Sequence, residues 1–471
     1  MPILRDSVLH DLSMTKNRTS HCPGPFSRRR FVQAGSLALG GLSLTDVLAG
    51  RAAAGNASKD TSVILVFLNG GPSQLETYDL KPDIPSSHRG IYEPIATNVP
   101  GITICDRFPL QAKLADKFSL VRSLHHNMDS HSDGGITVLT GRSPRKPDPT
   151  SRSKSKHPDF GSIASKVRGM ARHAIPPYVA VPQQLYMTRA GYLGLHHGAF
   201  GIGDPSAKDY SPPQWANVSR QSGEALRNRR PLLEQLDRFH DGADQRGSLQ
   251  GTKEFRDLAF QLLTSSKTGR AFDIAREDDK LRDRYGRNQW GQGCLMARRL
   301  AEAGTSVVTV YLDRLKHLPY IVSNWDDHPG ADGRPGHYAQ YLSVRMPYLD
   351  QCLSALIEDV FDRGLDKRIM VVAVGEFGRT PRISQVGDNT GRDHWPQAYS
   401  ALISGGGLKM GQVVGATNSK AEYPTERPFT PQHLLATIYH HLGIDTEMTH
   451  QDFAGRPIAI LDNGQPIREL I

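Results

Sequence analysis

Ser62–Leu68 reads SVILVFL and runs straight into Asn69-Gly70-Gly71-Pro72. A short, β-branched, nearly continuous apolar run has no polar face. It therefore predicts a strand buried on both sides, at the centre of a parallel sheet, with the Asn-Gly-Gly-Pro turn ending it. Working outward, comparable runs occur at Ser119–Leu124, Ser306–Leu312, Arg368–Val374 and Tyr399–Ser404. Helical patterns lie between them, at Pro109–Lys117, Phe160–His173, much of Ser222–Thr264, Asp278–Ala303, Gln340–Arg363 and Pro431–Leu442. Alternating strands and helices predict an α/β fold, a three-layer sandwich with a central, mostly parallel sheet and helices on both faces.

The chain has 471 residues, with 38% hydrophobic and 22% charged, enough for one large core. Gly 45 and Pro 31 imply many loops around it. Pro144–His157 is basic and Pro/Ser-rich and is expected to be a mobile surface loop; residues 194–221 look like a second irregular insertion. With no internal repeat and no linker, residues 55–471 are expected to form a single domain.

Residues 1–54 differ from the rest. Ser27-Arg28-Arg29-Arg30-Phe31-Val32 precedes a Gly/Ala/Leu-rich stretch to about Gly50, then Ala52-Ala53-Ala54. A charged segment, a weakly apolar segment and small residues in that order predict a twin-arginine signal peptide, hence the twin-arginine export machinery as a partner and a periplasmic or secreted protein. The apolar segment is short and contains Asp46, and no other segment approaches the ~18 apolar residues of a membrane span. The protein is thus not expected to be integral to the membrane.

The net charge of +9 invites a nucleic-acid reading. Residues 1–54 hold seven Lys/Arg against three Asp/Glu, which leaves 50 against 45, or +5, for the remainder. That is mild, with no basic run interleaved with aromatics, and argues against nucleic acid. Cys22 lies in the leader; Cys105, Cys294 and Cys352 are odd in number and widely spaced, the pattern of buried free thiols rather than a disulfide framework or a zinc-cysteine site.

In an open α/β sheet, ligands bind beyond the carboxyl ends of the strands. The segments there carry Asn69, then Asn324-Trp325-Asp326-Asp327-His328, Gly375-Glu376-Phe377-Gly378-Arg379, and Gly391-Arg392-Asp393-His394. Asp326 and His328, two apart, can project to one side, and either Asp326 or Asp327 can face the site. With Glu376 and His394 they form a mixed oxygen/nitrogen shell suited to one divalent metal, Zn²⁺ or Mn²⁺ before Ca²⁺ or Mg²⁺. The glycines flanking Glu376 would let backbone approach a ligand closely. Arg379 and Arg392 are candidates for holding a phosphate or sulfate group. The polar turn His125–Asp133 leads into a short helix, a natural anion site at which Ser130, Ser132 or His131 could present a nucleophile; helix capping by Ser132 or Asp133 is the alternative.

The stretches NGGPSQLETYDLKP (69–82), 99–123, 131–142 with its LTGR ending, 282–300, NWDDH (324–328), 347–359, GEFGRTP (375–381), GRDHWP (391–396) and 405–417, with the SRRRF leader, resemble the bacterial domain-of-unknown-function family numbered 1501. That family is similar in fold to the alkaline-phosphatase/sulfatase superfamily. The resemblance implies metals and a nucleophile at the carboxyl edge of the sheet. Asn69 falls where the superfamily has a metal-binding Asp, and the nucleophile falls at or beside His131. Asp326, His328, Glu376 and His394 stand for later ligands. No Cys-x-Pro-x-Arg precedes LTGR, so formylglycine chemistry is not implied. Phe377 stands where phosphatases place a histidine, so one metal is expected rather than two.

Two functions follow as expectations. One is a metal-dependent hydrolase of phosphate or sulfate esters acting on an anionic small molecule or glycan, with Ser132 or a water as nucleophile, His131 as general acid or base, and Arg379 and Arg392 neutralising the anion. The other is a non-catalytic relative that binds an anionic glycan or an envelope partner, favoured by the neutral Asn69.

Overall fold

A computed structural model describes residues 60–169, 175–212, 266–319, 324–330 and 336–471. The leader and the expected helix within 222–264 lie outside the described residues.

The SVILVFL run is strand β1 (Ser62–Leu68), buried along its whole length. It is joined by β2 (Phe118–Leu124), β3 (Tyr178–Val181), β4 (Phe200–Gly201), β5 (Val307–Leu312), β6 (Ile369–Val374), β7 (Tyr399–Gly405) and β8 (Gln412–Val414). The eight strands run in the order β8-β2-β7-β6-β1-β5-β3-β4. β1 pairs in parallel with both β5 and β6, in the registers Val63↔Val307 and Ser62↔Ile369, which places it at the centre as its lack of a polar face requires.

Alternate residues of β1 serve different cores. Ile64, Val66 and Leu68 pack with Trp290, Leu295, Leu349 and Leu353, from helices spanning Gln289–Glu302 and Ala339–Asp362. Val63, Leu65 and Phe67 pack with Ile136, Ile163, Leu434 and Ile438, from helices His131–Thr140, Phe160–Arg168 and Pro431–Leu442. This is the expected three-layer α/β sandwich. Truncating any of these side chains, such as Leu68→Ala, should cost about 2–5 kcal/mol.

Several boundaries differ from expectation. The 278–303 helix is two, Asp279–Tyr285 and Gln289–Glu302: Gly286 turns the chain at φ +93°, and the Asn288 side chain caps the second by accepting from Trp290 and Gly291 N–H. The Pro109–Lys117 pattern forms only short turns, Pro109–Ala112 and Ala115–Lys117. The 144–157 loop is irregular but tethered: Asp148 N–H donates to Asp133 and its carboxylate accepts from Thr150 and Ser153, while Ser155 N–H donates to the Met187 carbonyl. Cys105, Cys294 and Cys352 are free and buried. Residues Ser58–Ile471 form one unit. Among the described residues, no helix is long and apolar enough to cross a membrane.

The departure that matters for the site is β7, which is antiparallel to both its neighbours, β2 and β6. Its first residue therefore lies at the edge where β1, β2, β5 and β6 end. The 391–398 segment that enters β7 thus arrives at the same rim as the segments that leave the other four.

Candidate metal centre

His131 opens helix α1 (His131–Thr140), which follows β2 through a polar turn; Ser130 holds the N-cap position without a side-chain capping bond, so the alternative of capping by Ser132 or Asp133 does not hold. Asp326 and His328 arrive on the segment after β5, and His394 on the segment before β7. One ligand atom from each of these four residues lies within 4.8 Å of every other. His131 Nε2 is 3.3 Å from Asp326 Oδ2; His328 Nε2 and His394 Nε2 are 3.2 and 3.3 Å from Asp326 Oδ1. The Nε2 atoms of His328 and His394 face each other at 2.7 Å. Donors about 2.0–2.1 Å from one tetrahedral ion would sit roughly 3.3 Å apart, the spacing of the three contacts to Asp326; the His328–His394 pair is closer and would have to open around an ion.

The other ring nitrogens fix the protons. Nδ1 of His131 is 2.7 Å from Glu376 Oε1, Nδ1 of His328 is 2.8 Å from Asp393 Oδ1, and Nδ1 of His394 is 2.5 Å from the Asp129 carbonyl. Those oxygens only accept, so each Nδ1 carries a hydrogen. Once His131 gives up its second proton, three Nε2 lone pairs and one carboxylate face one point, the donor set of a divalent cation. Second partners hold the first: Ser384 Oγ donates to Asp393 at 2.5 Å, and Gly70 N–H donates to Glu376 Oε1 at 2.8 Å.

Burial lowers the His394 pKa to about 3, with the Arg379 charge adding to it, and lowers that of His328 in the same direction. Asp326 is also penalised by burial, but the Arg379 charge, with His131 beside it, outweighs this and holds it well below the carboxylate range. Neutral imidazoles and an ionised carboxylate are the states a metal needs. His131 differs. Burial disfavours its charge, yet the hydrogen bonds to Asp326 and Glu376 raise it to about 9. A proton on His131 and a divalent cation are thus alternative ways to balance this site, and binding the cation would release that proton. Three nitrogens and one oxygen suit Zn²⁺ or Mn²⁺.

The expected residues meet in part. Asp326, His328 and His394 converge, and they are joined by His131, which was expected as an acid–base group. Glu376 stands behind His131 rather than among the four. Asn69 also stands aside, its Nδ2 donating to Asp313 Oδ1 at 2.6 Å. Of the two adjacent aspartates, Asp326 faces the cluster, and Asp327 is buried against Arg345.

Three expectations need correction. Arg379 is fully buried, and its donors end on the Gly71, Arg392 and Gly70 carbonyls and on Asp326, 2.7 Å away; it ties loops together and holds no substrate anion. Arg392 is equally buried, paired with Glu76 at 2.8 Å and bonded to the Thr380, Pro381 and His88 carbonyls, so it too cannot clamp an anion. Ser132 is fully buried with its hydroxyl 3.4 Å from Asp133, so it does not face the cluster as a nucleophile would have to.

The glycines act on protein, not ligand. A Cβ on Gly375 would lie 2.5 Å from Pro72 Cδ, and one on Gly70, at φ +107°, would lie 2.4 Å from Asp326 N. Gly70 thereby lets the Asp326 loop close on the end of β1.

A cleft of about 360 Å³ adjoins the cluster, lined by Asn69, Gly70, His131, Tyr186, Asp313 and Asp326 among others. Asp313 and Asp393 were overlooked in the sequence. Both carried a readable signal, since Asp313 directly follows a buried strand and Asp393 directly precedes His394.

Residues 60–471 match the family described as "Protein of unknown function (DUF1501)", and the chain belongs to that family. No curated protein matches it in sequence. Among solved structures it is similar to a 2-O GAG sulfatase, BT1596, at 9% identity and TM-score 0.39, over 87% of this chain and 73% of that one. It is also similar to the lipoteichoic acid synthase LtaP from Listeria monocytogenes, at 10% identity and TM-score 0.36, over 86% and 76%. A third is the phosphonate monoester hydrolase of Agrobacterium radiobacter, at 11% and 0.34, over 86% and 78%.

Proposed function

We propose that this chain is an exported, metal-dependent hydrolase of phosphate or sulfate esters. The observation that carries the proposal is the convergence of three imidazole Nε2 atoms on Asp326 while every Nδ1 is committed to an oxygen. A divalent metal held by His131, Asp326, His328 and His394 would supply Lewis acidity toward an ester oxygen and lower the pKa of a water. The protein's own part is positional. Glu376, Asp393 and the Asp129 carbonyl aim the imidazoles, Arg379 aims Asp326, and the cleft beside Asn69 and Asp313 receives the ester. In the reaction the water oxygen bonds to phosphorus or sulfur, the bond to the ester oxygen breaks, and a proton from the water passes to that oxygen, so that an alcohol leaves and phosphate or sulfate remains.

Metal analysis of the purified protein tests this, with about one Zn or Mn per chain expected and less than a tenth of that in His394→Ala. Turnover of aryl phosphates and aryl sulfates should fall at least ~10³-fold in Asp326→Ala, about 4 kcal/mol of barrier. No tight metal, together with no cleavage of either ester under any added divalent ion, would refute the proposal.

The rival is a non-catalytic module binding an anionic glycan or an envelope partner. The neutral Asn69 and the buried Ser132 favour it, and retained glycan binding by a metal-free protein would establish it. In either case we propose that residues 1–54 direct twin-arginine export to the periplasm or beyond. Replacing Arg29 and Arg30 by lysine should retain the chain in the cytoplasm.

A further inference from the structure

The cleft beside the cluster does not end at Asp313. A second cavity of about 490 Å³ shares Gln183, Tyr311 and Asp313 with the first and continues past Gln289 and Asp204 to Arg314 and Lys316. Its charges are balanced within its own walls. Lys316 Nζ is 2.9 Å from Asp204 Oδ2, and Arg314 Nε is 3.8 Å from Asp313 Oδ2. Such a chamber is not built for a second anion.

Two buried carboxamides line this path, Asn69 in the first chamber and Gln289 in the second. Each has its oxygen without a hydrogen-bond donor among the described residues. The Asn69 amide is oriented by its Nδ2 contact with Asp313, so the orphan there is an acceptor. Buried acceptors without donors are costly, and a sulfate or phosphate oxygen, itself only an acceptor, cannot relieve them. A hydroxyl can. The carboxylates of Asp204 and Asp313 add further acceptors along the same wall.

We infer that the leaving group of the ester is a polyhydroxylated, otherwise uncharged unit, a sugar or polyol, which runs from the cluster across Asp313 into the second chamber, where Gln289 determines specificity by accepting from one of its hydroxyls. The inference rests on the hydrolase reading and adds which alcohol is released and where it sits.

The test compares kcat/KM for a panel of hexose monosulfates and monophosphates with that for 4-nitrophenyl sulfate and phosphate. In Gln289→Leu the sugar-to-aryl ratio should drop about tenfold, the equivalent of ~1.4 kcal/mol. In Gln289→Glu, which keeps an acceptor in place, the ratio should stay within about threefold of wild type. A ratio unmoved by the leucine, or wild type that cleaves aryl esters and no sugar ester, overturns this inference and leaves the hydrolase standing. Failure on every ester sinks the hydrolase itself and this inference with it.

Discussion

Two buried charged clusters lie at the same rim and are opposite in kind. At Glu76, one carboxylate meets one guanidinium, that of Arg392; the Tyr338 hydroxyl donates to the same oxygen at 2.9 Å, and the remaining Arg392 donors end on carbonyls. At Asp326, one carboxylate paired with Arg379 also faces three imidazoles whose Nδ1 donors are spent on Glu376, Asp393 and the Asp129 carbonyl. In the first cluster one carboxylate balances one guanidinium, with Glu76 Oε2 left without a donor, while the second turns four potential ligand atoms toward one point. Burial and charge are common to both, so neither marks a functional site. The convergence of four ligand atoms does.

The sharpest way to break this contrast is to remove one partner from each cluster. Arg392→Ala leaves Glu76 buried and unpaired, and should lower stability by about 3–5 kcal/mol in urea unfolding. His394→Ala removes one of the four ligand atoms and should cost the metal-free protein under about 1 kcal/mol while abolishing metal binding. Equal losses in the two metal-free variants would mean that the Asp326 cluster is also a structural bolt.

A milder change asks whether the outer partners tune the centre. Asp393→Asn weakens the hold on His328 Nδ1 and leaves the four facing atoms in place. Metal affinity, measured by chelator competition, should fall about 10–100-fold, with urea stability of the metal-free form nearly unchanged. An unchanged affinity would remove Asp393 from the account.

The same contrast explains what was legible in the sequence. The centre of the sheet was readable because SVILVFL has no polar face in either period. β3, β4 and β8 were not, being only four, two and three residues long. His394 reached the rim for a reason that sequence periodicity does not encode. A segment that precedes a parallel strand lies at the opposite edge, and only the antiparallel direction of β7 brings it round. Residue types were readable at Asp326, His328 and His394. The roles of Arg379 and Arg392 were not, because a saturated arginine and a substrate-binding one look alike until their acceptors are counted. Glu376 looked like a ligand for the same reason, and only its contact with His131 Nδ1 moves it behind the cluster.

His126 gives the smallest test and the most direct control, since it is a histidine beside the centre that behaves like the closed cluster. Its Nε2 is 2.6 Å from the Glu376 carbonyl and its Nδ1 accepts the Met128 N–H at 3.1 Å, so the neutral ring is fully satisfied. Burial lowers its pKa to about 4, only partly offset by the Glu376 carbonyl. The unfolded ring titrates near 6.5. Between those values the unfolded chain takes up a proton that the folded one refuses, so this ring's contribution to stability is intact above about 6.5 and is lost as pH falls toward 4. The slope is up to about 1.4 kcal/mol per pH unit. His126→Gln keeps a donor for the Glu376 carbonyl and has nothing to titrate. Its urea midpoint should therefore fall less steeply than that of wild type across this window, whereas parallel profiles would show that His126 is not held neutral. The other histidines titrate alike in both proteins, so the difference between the two curves belongs to His126.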